Sequence, residues 1–218
     1  MIDQTFFDSP DARLMCLTHD HSVLSHFEQA KLLLENGGRL IQVRTKVMNL
    51  TSFTLEAIEI VQLARSFNAK VIINDHADVA ASASAWGVHL GMRDERTADV
   101  KKKFGNRLII GRTVHSLADA QKCKVEKPDY IGIGPFRISA TKRDLIPQLS
   151  VDQFKQIITF LSPLPTFLIG GLNENDSLLI DELNLTGLAL CSALWKCNDL
   201  KEQIRKIINS SKPSLLAS

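Results

Sequence analysis

Two aspartates, Asp75 and Asp94, each follow a short apolar run, VIIN before the first and GVHL shortly before the second. If those runs are successive parallel strands joined by a small-residue helix, both strand ends lie on one edge of the sheet, where the carboxylates can converge. Convergent carboxylates beside other oxygen donors suit a hard cation such as Mg²⁺. Asp also serves turns and helix caps, so the pair alone leaves both readings open.

Other polar residues fall at similar points. Gln42-Val43-Arg44-Thr45-Lys46 ends another apolar run, with Arg44 and Lys46 two residues apart and so on one side of an extended chain. In Arg112-Thr113-Val114-His115-Ser116, Thr113 can donate to a phosphate oxygen and Ser116 can cap a helix. The stretch FRISATKRD at 136–144 offers the hydroxyls of Ser139 and Thr141 and the cations Arg137, Lys142 and Arg143, a donor set for a polyphosphate. Gly170-Gly171 and Cys191-Ser192 end two further runs, where backbone amides can cradle a phosphate. Two anion sites, one beside a cation site, suggest a reaction between two phosphorylated small molecules. Departure of pyrophosphate fits, because Mg²⁺ and Lys or Arg stabilise charge growing on a leaving group.

The elements that must position these residues alternate along the chain. Strand-length runs fall at Leu14–Thr18, Leu40–Arg44, Val71–Asn74, Val88–Leu90, Leu108–Gly111, Tyr130–Gly134, Thr166–Ile169 and Leu188–Cys191. Helical patterns occupy about 22–36, 53–67, 76–84, 96–104, 117–124, 151–161, 174–182 and 199–210. In the second of these, Leu55, Ile58, Val61, Leu63 and Ala64 form the face expected to pack on the sheet. Eight strand–helix units without a linker favour a single α/β domain, a (β/α)₈ TIM barrel over 1–212, above a doubly wound open sheet. Residues 213–218 read as a frayed C-terminal tail.

Composition narrows the function classes. The 218 residues are 44% hydrophobic and 23% charged, as in soluble globular domains. A net charge of +2 without a basic stripe argues against nucleic acid, and no apolar run reaches membrane-spanning length. The acidic opening MIDQTFFDSPD is unlike a secretory signal, which points to the cytoplasm. Cys16, Cys123, Cys191 and Cys197 have no CxxC spacing and read as reduced thiols; Trp86 and Trp195 read as packing residues. A homodimer is left open, because periodicity does not separate an exposed apolar face from a core face.

Seven blocks carry a resemblance: QVRTK at 42–46, IIND at 72–75, GVHLGMRD at 87–94, GRTVHS at 111–116, YIGIGPFRISATK at 130–142, IGGL at 169–172 and LCSAL at 190–194. In this order the chain resembles thiamine phosphate synthase (thiamine-phosphate pyrophosphorylase) from the first strand to the last helix. The resemblance implies a (β/α)₈ barrel that couples a hydroxymethylpyrimidine pyrophosphate to a thiazole phosphate, giving thiamine phosphate and pyrophosphate. It implies Mg²⁺ on Asp75 and Asp94, with Arg44, Lys46, Asn74, Thr113 and Lys142 on the pyrimidine substrate; Arg44, Lys46 and Lys142 are the catalytic cations. Ser139 and Thr141 would line the thiazole pocket and Gly171 and Ser192 would bind its phosphate, with Gln42 and Cys191 also in the substrate-binding set. The implied route is dissociative: pyrophosphate leaves, the electron-rich pyrimidine stabilises a methylene cation, and the thiazole nitrogen attacks it. That agrees with the lack of a nucleophile–base–acid constellation.

The chain departs from the family at Met92, where synthases usually carry a glutamine, at Arg112, and at Phe136-Arg137-Ile138. GRTVHS is also similar to the related thiazole tautomerase, in which the histidine matching His115 is implied to be catalytic. A tautomerase-like isomerase is therefore the first alternative and a non-catalytic binder of thiamine precursors the second. Residues 136–146 are the expected lid.

Overall fold

The structure, a computed structural model, describes residues 4–137 and 149–210. Ser139, Thr141, Lys142 and most of the expected lid lie outside the described residues, as does the expected tail at 213–218. Eight strands are present: β1 (Leu14–Leu17), β2 (Leu40–Val43), β3 (Lys70–Asn74), β4 (Gly87–Leu90), β5 (Ile109–Val114), β6 (Tyr130–Ile133), β7 (Thr166–Ile169) and β8 (Gly187–Leu190). Each pairs in parallel with its successor and β8 pairs with β1, so the sheet closes on itself. The expected (β/α)₈ barrel is what forms.

Alternation along each strand divides two layers of packing. Outward residues such as Ile41, Val43, Ile73, Val88 and Ile131 join the core beneath the helices. Inward residues Met15, Leu17, Leu40, Ile72, Ile109, Tyr130, Phe167 and Ala189 fill the barrel. Burial on both faces is why the strands read as continuous apolar runs.

The helices are α1 (His26–Glu35), α2 (Leu50–Ser66), α3 (Ala77–Ser82), α4 (Thr97–Phe104), α5 (Leu117–Glu126), α6 (Val151–Leu161), α7 (Leu179–Glu182) and α8 (Leu200–Ile208). Polar caps set where several begin. Ser25 and Ser150 form capping boxes with Glu28 and Gln153, and Ser116 accepts from the Asp119 N–H as expected of a cap. The pattern at 174–182 proves to be a 3₁₀ segment, Glu174–Leu178, running into the single turn of α7.

Two expectations need correction. The buried face of α2 is Phe53, Ala57, Ile60, Val61 and Ala64, whereas Leu55 is 61% and Ile58 39% exposed. The helix begins three residues earlier than its apolar pattern, and Phe53 fixes an inward stripe roughly opposite Leu55 and Ile58, which lie about 140–160° round the helix from Phe53. Strand β5 runs to Val114 rather than Gly111, so Arg112 and Thr113 are strand residues facing opposite ways. Arg112 therefore points away from the mouth into the helical layer, where Nη1 donates to the Glu95 carbonyl at 3.0 Å and the guanidinium pairs with Glu126 at 3.5 Å.

The amino-terminal end of the barrel is closed by two 3₁₀ segments, Thr5–Asp8 and Pro10–Arg13, that no sequence pattern announced. They seat Phe7 against Trp86, Tyr130 and Phe167, with ring centroids 5.1, 5.6 and 6.2 Å apart. A cavity of about 750 Å³ lies at this end beside Ser9, Arg13, Lys155 and Thr186. An aromatic layer separates it from the carboxyl ends of the strands. Among the described residues no helix is long and apolar enough to cross a membrane, and all four cysteines are free.

Candidate active site

The carboxyl ends of β2, β3 and β4 bring the expected acidic and basic residues together. Asp75 follows β3 with φ +67°, a left-handed conformation that Asp tolerates, and its N–H donates to the His89 carbonyl at 2.8 Å. The kink turns its carboxylate toward Lys46, whose ammonium donates to Asp75 Oδ2. Asp94 is held from its own loop, where the Gly91 N–H donates to Oδ2 at 2.6 Å.

The two carboxylates also lie close enough that each shifts the other's pKa. Burial and then the neighbouring Asp75 raise the Asp94 pKa. Burial acts the same way on Asp75, but the bond from Lys46, the neighbouring Asp94 and the charges of Lys46 and Arg44 outweigh it and leave Asp75 below the usual range. Two carboxyls pressed together at a strand edge, one of them inclined to keep a proton, form a donor set that a divalent cation would relieve. No group of three or more His, Cys, Asp or Glu side chains placed to hold a metal ion exists among the described residues, so this pair could hold a cation only together with other oxygen donors such as substrate phosphates.

The β1 end supplies a support that sequence reading missed. Asp20 accepts from the Thr45 hydroxyl at 2.5 Å and the Lys46 N–H at 2.8 Å, and lies 3.2 Å from His26 Nε2. Burial opposes ionisation of Asp20, yet these three bonds hold its pKa below the usual range. Thr18 joins the same network, accepting from the Arg44 N–H at 3.1 Å and meeting His26 Nδ1 at 2.7 Å. Residues 18–26 thus fasten the segment that carries Arg44 and Lys46. THDH carries no spacing that would have singled this out.

Gln42 and Asn74 are buried at the top of the barrel interior, and Gln42 Nε2 lies 3.2 Å from Met15 Sδ. Thr113 faces inward on β5, with Oγ1 2.9 Å from His89 Nε2. Cys191 is half-buried past β8, its thiol pKa raised by burial against the opposing charge of Arg44, and Ser192 beside it is exposed. His115 is tied down, its N–H donating to Asp119 Oδ2 at 3.1 Å and its Nδ1 lying 2.5 Å from the Gly134 carbonyl.

One residue expected among the polyphosphate donors is committed elsewhere. Arg137 makes two 2.7 Å bonds to Asp176 and donates to the Gly171 carbonyl at 3.0 Å, joining the loops after β6 and β7. Gly171 has φ +64° and lies so close to this loop that a Cβ would be 2.8 Å from the Arg137 carbonyl oxygen. A fixed guanidinium with a buried carboxylate partner leaves Arg137 as a brace between loops, since its fork is already matched.

Comparisons with known proteins bear on the family and the fold. The family described as thiamine monophosphate synthase matches residues 14–194. The chain is 33% identical over 200 residues to a thiamine-phosphate synthase of Phocaeicola vulgatus, covering 90% of this chain and 96% of that one. It is 32% identical over 191 residues to a thiamine-phosphate synthase of Caldicellulosiruptor bescii, covering 86% and 85%. A solved structure of thiamine phosphate pyrophosphorylase from Pyrococcus furiosus superposes with a TM-score of 0.80 at 25% identity, covering 91% of this chain and 96% of that one. With the barrel closed, its paired aspartates at the mouth and the family match spanning every strand, the chain belongs to the thiamine monophosphate synthase family.

Proposed function

We infer that this protein is a thiamine phosphate synthase, a transferase that joins a hydroxymethylpyrimidine pyrophosphate to a thiazole phosphate with release of pyrophosphate. The observation that carries the reading is the convergence of Arg44, Lys46, Asp75 and Asp94 at one sector of the barrel mouth. Asp75 and Asp94 would hold Mg²⁺, which supplies charge neutralisation to a pyrophosphate when bound. Lys46 and Arg44 bind the same anion, aided by Asn74 and Thr113 at the adjoining strand ends.

In the reaction the methylene C–O bond breaks and its electron pair departs with pyrophosphate. The thiazole nitrogen then donates its lone pair to the methylene carbon, forming the C–N bond. No proton need move in either step, so the chain's contribution is positioning and electrostatics. Lys142 completes the cationic set in this reading, and Ser139, Thr141, Gly171, Cys191, Ser192 and Gln42 bind and orient the two substrates. A cytoplasmic setting agrees with the four free thiols.

The test is direct. Purified protein is incubated with both phosphorylated precursors and Mg²⁺, and the products are weighed by mass spectrometry. Formation of thiamine phosphate is expected; correctly folded protein that yields none would sink the reading.

A further inference from the structure

His89 is a buried imidazole that the reaction above does not use. It stands on the inner face of β4 with its Nδ1 3.0 Å from Tyr130 Oη and its Nε2 2.9 Å from Thr113 Oγ1. Tyr130 is fully buried beneath it, and Thr113 reaches the mouth above it. The three side chains form a line from the barrel floor to the substrate end. Gly132 leaves room for the ring, since a Cβ there would lie 3.1 Å from His89 Cε1.

The direction of the protons follows from satisfying each group. Among the described residues, the Tyr130 hydroxyl has no hydrogen-bond partner except His89 Nδ1. Were Nδ1 protonated, it would donate to Tyr130 and leave a buried O–H without an acceptor, which costs more than an oxygen with a spare lone pair. Tyr130 therefore donates to Nδ1, and the neutral ring carries its proton on Nε2. That N–H donates to Thr113 Oγ1, so the threonine's own proton is left for a group at the mouth.

We propose that His89 is a positioning residue that fixes Thr113 as a hydrogen-bond donor, so that the end of β5 accepts an acceptor-only group, a pyrophosphate oxygen, and disfavours a donor there. Naming pyrophosphate rests on the synthase reading; the tautomer does not.

Two measurements on the full chain test this. In a long-range ¹H–¹⁵N spectrum of ¹⁵N-histidine-labelled protein, with His89 assigned by comparison with His89→Asn, the ring should be neutral and protonated on Nε2 at about pH 7. An Nδ1–H ring or an imidazolium would overturn the proposal. Tyr130→Phe should release the tautomer preference, and an unchanged ring would count against it. Calorimetry with inorganic pyrophosphate and Mg²⁺ provides the second readout. Thr113→Val should weaken binding about 10-fold and Thr113→Ser should restore it. His89→Phe should weaken binding similarly, with no further loss in the double variant His89→Phe/Thr113→Val. Additive losses, or wild-type protein that does not bind pyrophosphate, would overturn the role given to Thr113. Failure of the product assay alongside the expected spectrum and binding would sink only the synthase reading.

Discussion

Lys46 and Asp75 are 29 residues apart in the chain yet meet side chain to side chain across the mouth, the ammonium donating to Oδ2. Lys46 is 53% exposed at its side chain and Asp75 14%. An exposed ammonium contributes little to folding, about 0–1 kcal/mol. Lys46→Ala should therefore leave the urea midpoint nearly unchanged while turnover falls by at least ~10-fold. A shifted midpoint with normal turnover would assign the pair to stability instead.

Among the described residues the Asp94 side chain is fastened to its own loop, by the Gly91 N–H, and faces Asp75. Asp94→Ala should keep the circular dichroism spectrum and melting temperature close to wild type while removing most Mg²⁺-dependent turnover, about 100-fold or more. The thermal shift that Mg²⁺ with pyrophosphate gives the wild-type protein should also shrink. Normal turnover in this variant would remove Asp94 from the metal site.

The Arg137–Asp176 pair predicts a different pattern. Asp176 is buried, so Arg137→Met leaves a carboxylate without its main partner and should cost about 1–3 kcal/mol in chemical denaturation. Because the pair joins the loops after β6 and β7, KM for the thiazole phosphate should rise more than KM for the pyrimidine substrate. Equal changes in both would disconnect this brace from the second anion site.

Burial holds the His89 pKa down to about 4, with Arg112 and His115 acting the same way and Asp75 opposing them. The unfolded chain, with an ordinary imidazole, binds more protons than the native one between about pH 4 and 6.5. Native stability is therefore undiminished above that window and falls as pH drops through it, by up to about 3 kcal/mol. Urea midpoints measured from neutral to acid pH should show His89→Gln with a shallower acid loss than wild type. Parallel curves would contradict the burial assigned to this ring.

His115 is fixed through its main chain to Asp119 and through its ring to Gly134. His115→Ala should lower synthase turnover only a few-fold, as expected of one lost bracing bond. A large loss confined to a thiazole isomerisation assay would favour the tautomerase alternative.

Much of this protein is determined locally. Eight apolar runs bounded by turn residues fixed the strands, because buried parallel strands need continuous apolar sequence, and Asp75 and Asp94 stood out because they come soon after such runs. What local pattern did not decide was direction. Leu55 and Ile58 share helical spacing with the core of α2 yet face outward, and Arg112 turns away from the mouth because β5 extends to Val114. Arg137 looked like a free cation until Asp176, 39 residues on, occupied it. The floor formed by Phe7 against Trp86, Tyr130 and Phe167, the clamp of Asp20 on Lys46 and the line from Tyr130 through His89 to Thr113 belong to tertiary structure alone. Each depends on groups distant in the chain meeting after the barrel closes, and periodicity reports only which neighbours along one element share a face.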